Sequence, residues 1–246
     1  MHRRLEQRID AWAQRAGLVI RRRVPPSASL GGRALRDLQI TLVLDVGANV
    51  GQYGGWVRET GFAGRIVSFE PLRAEFAQLE HAAAGDPGWE ARNAALGDRD
   101  GDAEIHVSQD SVASSFLDLS DYAKTDWPWR ETTYVERQTV AINRLDTLAP
   151  DLLRDSDRTL LKLDVQGYEL TALQGAEATL EGLAAVQCEL SLVELYEGQP
   201  RMWELLRHLD ERGFRPIGFE PVVADPATGH QLQLDALFVR RASTPR

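Results

Sequence analysis

The sequence predicts one α/β domain built on a mostly parallel sheet of seven strands, with helices on both faces and the last strand inserted antiparallel. Three observations predict it. From residue 40 onward, short runs rich in Val, Ile and Leu alternate with stretches of helical period. Glycines cluster directly after the first such run, in "VLDVGANVGQYGGW" (43–56), and the final two β runs have no helix between them. Strands separated by helices pair in parallel through right-handed crossovers, which puts helices on both faces.

The first element is basic. In "MHRRLEQRIDAWAQRAGLVIRRR" (1–23), Leu5, Ile9, Trp12, Ala16 and Val19 recur at helical spacing among arginines. Such a helix packs its stripe on the main domain or on a second subunit, which points to a homodimer, or meets an anionic surface or substrate. Val24-Pro25-Pro26-Ser27 ends it and "SASLGG" (27–32) reads as a linker, so residues 1–32 form an appendage and 33–246 the main domain.

The main domain opens with the strand "TLVLDV" (41–46), a helix after Gly51, the strand "RIVSF" (65–69), a helix over about 73–84 and the strand "WEARN" (89–93). The rhythm then breaks. "AEIHV" (103–107) and "ERQTVAI" (136–142) alternate as strands with no good helix between them, which predicts an antiparallel insertion over about 100–142 carrying the loop 108–135. Alternation resumes with "TLLKLDV" (159–165), a helix over about 168–180, "AAVQCEL" (184–190) and a helix through "PRMWELLRHLDERG" (200–213). The runs "FRPIGF" (214–219) and "LDALFVR" (234–240) close the chain as a hairpin.

Composition bounds the function. Hydrophobic residues make up 43% and charged residues 26% of the 246 positions, and no apolar run nears the roughly 20 residues of a membrane span. Cys188 is the only cysteine, so no internal disulfide forms and a cytoplasmic location is expected, as it is from a charged N-terminus without a signal pattern. A formal charge of −9 argues against a nucleic-acid partner and toward an enzyme of small molecules.

In an open α/β sheet, ligands collect beyond the carboxyl ends of the strands, and the first strand-to-helix turn is the usual cradle. Gly47 and Gly51 let that turn bend sharply. A dinucleotide turn would carry a glycine where this chain has Asn49, so a pyrophosphate fits badly. Asp45 in front of it repels phosphate and suits a sulfonium carrying an α-amino group. Glu70, at the end of the second strand, is placed to accept both hydroxyls of a ribose, in a NAD site or an S-adenosylmethionine site alike. Two rivals remain beside a purely structural turn. A NAD(P)-dependent oxidoreductase of the short-chain type would carry a Tyr followed four residues later by Lys, which no tyrosine here has. A non-catalytic module would bind S-adenosylmethionine without turnover.

Seven core strands ending in a hairpin look like the class I methyltransferase fold, a Rossmann-like sheet. The sequence resembles the FkbM-type methyltransferases in "LDVGANVGQY" (44–53), "FEP" (69–71), "NAALGD" (93–98), "SS" (114–115), "LDTL" (145–148), "KLDVQGYELTALQGA" (162–176) and "LDALFV" (234–239). The resemblance implies an O-methyltransferase that uses S-adenosyl-L-methionine to modify hydroxyls of natural products or glycans. It further implies that Asp45, Gly47, Asn49, Gly51, Gln52 and Tyr53 line the methionine end of the cofactor and that Glu70, with Pro71 beside it, holds the ribose. Asn93 and Ala94 then lie by the adenine, and Ser115 closes over the cofactor from the insertion. The family's Glu in "DVEG" is replaced here by Gln166.

An alcohol needs either a base or a divalent cation to become nucleophilic. Asp164 and Glu189, at or near the ends of adjacent strands, are the candidate ligands for Mg²⁺ or Mn²⁺, and Asp164 is also a cofactor contact; capping and arginine pairing are their structural alternatives. The candidate bases are His230, in the loop before the last strand, and His106, within a strand. Asp235 is either an acceptor contact or a structural partner. Tyr122, Trp127, Trp129 and Tyr134, in the loop 110–134, read as an acceptor-binding lid, against a hydrophobic plug or a subunit interface.

Overall fold

The computed structural model describes residues 25–125, 133–225 and 227–241. The basic N-terminal stretch and the predicted acceptor residues Trp127 and Trp129 lie outside the described residues.

The segment read as a linker is mostly helix: Pro26–Ala28 makes a 3₁₀ turn and Leu30–Asp37 an α-helix (α1). Ser29 caps α1 by accepting from the Gly32 N–H at 3.0 Å, a cap that outweighs the two glycines behind it. The expected boundary at residue 33 therefore falls inside a helix.

The main strands are β1 (Leu42–Val46), β2 (Arg65–Phe69) and β3 (Trp89–Arg92), with α2 (Gln52–Glu59) and α3 (Arg73–Ala83) between them. The insertion follows. Its strands β4 (Ala95–Leu96), β5 (Gly101–Ser108) and β6 (Tyr134–Asn143) form a separate sheet in the order β4-β6-β5, with β5 and β6 antiparallel as predicted and a short helix α4 (Asp121–Thr125) in their loop. A helix that the sequence reading passed over, α5 (Leu145–Leu152), comes next; Pro150 near its end disguises it.

The chain then resumes the main sheet with β7 (Thr159–Leu163) and β8 (Ala185–Ser191). The single helix expected between them is two, α6 (Glu169–Gln174) and α7 (Glu177–Leu180). The break falls at Gly175, where a Cβ would come within 1.7 Å of the Gly97 carbonyl oxygen. Helix α8 (Met202–Glu211) and the hairpin β9 (Phe214–Ala224) and β10 (Gln231–Arg240) complete the fold. The seven-stranded order is β3-β2-β1-β7-β8-β10-β9, and β10 runs antiparallel between β8 and β9.

Both faces of this sheet are covered, so β1 and β7 are buried along their whole length. Leu44, Leu161, Val186 and Phe238 point into one core; Val43, Leu160, Ala185 and Leu237 point into the other, beneath α1 and α2. Alternation then places a polar row on the second face, one step nearer the carboxyl ends. Ser68, Asp45, Lys162 and Gln187 stand in register across β2, β1, β7 and β8. Asp235 on β10 stands opposite Glu189 beside them.

Candidate active site

The turn after β1 is built by left-handed backbone at Gly47 (φ 74°), Asn49 (φ 49°) and Gly51 (φ 94°). The two glycines are required by the chain itself. A Cβ at Gly47 would meet the Asp164 carbonyl oxygen at 1.9 Å, and one at Gly51 would press on Leu79 and Trp89 at 3.2–3.3 Å. Asn tolerates this conformation because its side chain bonds locally. The Asn49 Oδ1 accepts from the Val50 N–H at 2.9 Å and from Gln52 Nε2 at 3.1 Å, while its Nδ2 donates to Ser111 Oγ of the insertion at 3.0 Å.

Glu70 faces this turn. Its Oε2 accepts from the Asn49 N–H and its Oε1 from the Leu72 N–H, both at 2.8 Å, which fixes the carboxylate while leaving each oxygen a second lone pair. Burial outweighs those bonds and pushes its pKa up to about 7. Asn93 donates from Nδ2 to the Glu70 and Pro71 carbonyl oxygens, so it braces the backbone that carries the carboxylate.

A cavity of about 440 Å³ opens over the turn, within the range of small-molecule sites. Gly47, Asn49, Gln52, Tyr53, Glu70, Pro71 and Ala94 line it together with Asp164, Glu189, Gln233 and Asp235. Asp45 contributes nothing to that lining directly: it is fully buried, and it reaches the cavity through Lys162. The Lys162 ammonium lies 3.0 Å from Asp45 Oδ1 and 3.7 Å from Asp164 Oδ2, and it donates to the Gly47 carbonyl at 3.1 Å. Burial works against that charge, but Asp45 and Asp164 more than compensate and hold the ammonium above its ordinary range.

The loop after β7 is equally fixed. Gln166 adopts φ 52°; its Nε2 donates to Asp164 Oδ1 at 2.7 Å and its Oε1 accepts from the Tyr196 hydroxyl at 2.8 Å. Ser115 Oγ donates to the Gln166 carbonyl at 2.7 Å and is buried, so it latches the insertion to this loop and does not line the cavity. Glu169, buried beneath, accepts from the Val165 and Gly167 N–H groups, and burial pushes its pKa up to about 7.

Other expected site residues stand elsewhere. Gly51, Asn93 and His230 do not line the cavity, and His230 is exposed in the turn between β9 and β10. His106 stacks on Tyr134 with ring centroids 4.6 Å apart. Tyr134 donates to the Leu117 carbonyl at 2.6 Å and, with Tyr122, packs around Leu119, Leu195 and Tyr196, so neither tyrosine faces the cavity. Asp164 and Glu189 do both face it, but Asp164 is engaged by Gln166 and Lys162, and Glu189 Oε2 accepts from Gln233 Nε2 at 2.6 Å. Among the described residues no group of three or more His, Cys, Asp or Glu is arranged to hold a metal. These side chains do not fit a resident Mg²⁺ or Mn²⁺.

Lys162, Gln187 and Gln233 were missed in the sequence reading. A signal exists for two of them: Lys162 in "TLLKL" and Gln187 in "AVQCEL" interrupt apolar runs, which in a strand buried on both faces demands a partner.

A family profile described as the methyltransferase FkbM domain matches residues 45–216. An rRNA methylase from Streptococcus thermophilus is similar in structure at 12% identity and TM-score 0.47, over 90% of this chain and 98% of that one. A magnesium protoporphyrin IX methyltransferase from Synechocystis PCC 6803 with bound S-adenosylmethionine is similar at 10% identity and TM-score 0.42, over 98% and 80%. No curated protein matches the sequence. The strand order and the antiparallel β10 are those of the class I S-adenosylmethionine-dependent methyltransferase fold.

Proposed function

Because the chain belongs to the FkbM methyltransferase family, we propose that it transfers a methyl group from S-adenosyl-L-methionine to a hydroxyl oxygen of a small-molecule or oligosaccharide acceptor. One observation carries the reading. The Glu70 carboxylate and residues 47, 49, 52 and 53 of the turn line one cavity together with Asp164, Glu189, Gln233 and Asp235. Glu70 and the turn offer what a nucleoside needs: a fixed carboxylate for the ribose diol, and Asn49 where a dinucleotide turn carries glycine. Asp164, Glu189, Gln233 and Asp235 offer carboxylate and carboxamide groups, which hydrogen-bond hydroxyls. The formal charge of −9 supports an acceptor other than nucleic acid.

When bound, the cofactor supplies a methyl group on a positively charged sulfur. The chain's own residues orient and shield. Glu70 holds the ribose, and the Asp45–Lys162 pair fixes the floor between cofactor and acceptor. The insertion, bonded through Ser111 to Asn49 and through Ser115 to Gln166, closes the site from above. Holding two reactants in line lowers a barrier by up to roughly 7–11 kcal/mol.

S-Adenosylhomocysteine is expected to raise the melting temperature and NADH to leave it unchanged; the reverse pattern overturns the reading. Incubation with radiolabelled S-adenosylmethionine and a panel of hydroxylated acceptors should then give a labelled ether that survives mild base, which a methyl ester would not.

A further inference from the structure

A second cavity, of about 260 Å³, lies beside the first under α1. Leu30 of α1, Trp56 of α2, and Glu220 and Leu237 of the β9–β10 hairpin enclose it. Tyr53, Gln187 and Asp235 line both cavities, so these three side chains are the wall between them. We infer that the second cavity seats the ring of the acceptor, and that Asp235, in the shared wall, receives the proton of the hydroxyl that is methylated. The inference rests on the methyl-transfer reading above.

The cavity has the features of a ring site. The Trp56 indole is tilted against Tyr53 with centroids 5.3 Å apart, and Gly31 allows α1 to lie on it, since a Cβ there would come within 2.8 Å of the indole. Leu30 and Leu237 supply apolar surface beside that face. Its polar lining is Ser29, Tyr53, Gln187 and the carboxylates Glu220 and Asp235, and among the described residues no Lys or Arg lines it. A hydroxylated, uncharged ring fits this lining, and an anionic ring does not.

Asp235 is held for proton transfer. Tyr53 donates from its hydroxyl to Gln187 Oε1 at 2.9 Å, and Gln187 in turn bonds the Asp235 carboxylate. Lys162 of β7 and Asp164 just after it face Asp235, as do Glu189 from β8 and Glu220 from β9. Burial first, then the Asp164 and Glu220 charges, raise its pKa to about 6, against the opposing pull of Lys162 and Gln187. A carboxylate so poised is ionised at neutral pH and is a stronger base than an ordinary aspartate. In the transfer, one carbon–sulfur bond breaks with its electrons kept by sulfur, and one oxygen–carbon bond forms. The proton lost by the hydroxyl passes to Asp235 and from there to water.

Catechol, the simplest flat ring with hydroxyl donors, tests this without knowledge of the natural acceptor. Calorimetric titration of catechol into the protein saturated with S-adenosylhomocysteine should show binding that weakens about tenfold between pH 8 and pH 5, as Asp235 takes up a proton. Asp235→Asn should abolish that pH dependence and Asp235→Glu restore it, and Trp56→Ala should weaken catechol about tenfold where Trp56→Phe does not. A cooperative thermal unfolding transition and a native circular-dichroism spectrum show that each variant is folded. A protein that binds S-adenosylhomocysteine but not catechol, or binds catechol equally well in all variants, overturns the acceptor site alone. Failure to bind S-adenosylhomocysteine overturns the methyl-transfer reading itself.

Discussion

Lys162 and Asp45 are cross-strand partners at the centre of the sheet, with Nζ and Oδ1 3.0 Å apart and both side chains buried. Ser68 donates to the other Asp45 oxygen at 3.0 Å, and Trp89 Nε1 donates to Ser68 Oγ at 3.0 Å, so the charge is held from two sides. A buried pair gains little over an apolar pair, but removing one partner strands the other. Lys162→Met is expected to lose about 3–5 kcal/mol in urea unfolding, and Asp45→Asn combined with Lys162→Met to recover much of it. A loss within the range of a surface pair, about 1 kcal/mol or less, would contradict the description.

Glu70 makes cofactor affinity depend on pH. Its folded pKa of about 7 lies above the ordinary 4.5, so the unliganded protein favours the proton, and the stability linked to it is lost as pH rises from 4.5 through 7. A ribose diol donates to the ionised form and pulls the other way. The affinity for S-adenosylhomocysteine should therefore rise about tenfold from pH 6 to pH 8, and Glu70→Gln should bind weakly with a flat profile. Calorimetry at several pH values measures both.

Gln166 needs to be an amide. It donates to Asp164 and accepts from Tyr196 at once, which a carboxylate cannot do. Gln166→Glu sets two carboxylates together and is expected to cost about 1–3 kcal/mol at pH 8. The folded pair then has a raised pKa, so the cost should shrink as pH falls toward 5 and a shared proton restores the missing donor. Urea titrations at the two pH values test the sign.

Metal removal should leave the protein unaffected. With Asp164 held by Gln166 and Lys162, and Glu189 by Gln233, EDTA is expected to change neither the melting temperature nor the thermal shift produced by S-adenosylhomocysteine. Loss of that shift in EDTA, regained with Mg²⁺, would contradict the donor-set argument.

Strand positions were legible because apolar runs in a parallel sheet are written locally: β1, β2 and β3 begin and end within a residue or so of the predicted runs. Glu70 was legible for the same reason, since it follows the strand end directly. Helix α1 was not, because two glycines mask a helix held by its Ser29 cap and by packing on Trp56. Tyr122 and Tyr134 of the 110–134 loop pack into a small core of their own, and composition alone cannot tell a packed ring from one that faces a ligand.

The runs that become strands, the glycine–asparagine turn, the acid after β2 and the family are all written locally in the chain, because each depends on neighbours close along it. Which polar residues meet depends on the fold. Ser68, Asp45, Lys162 and Gln187 come from four strands and are joined into one row by register, with Asp235 beside it. Register is set by packing both faces of the sheet at once, and that is a property of the folded whole.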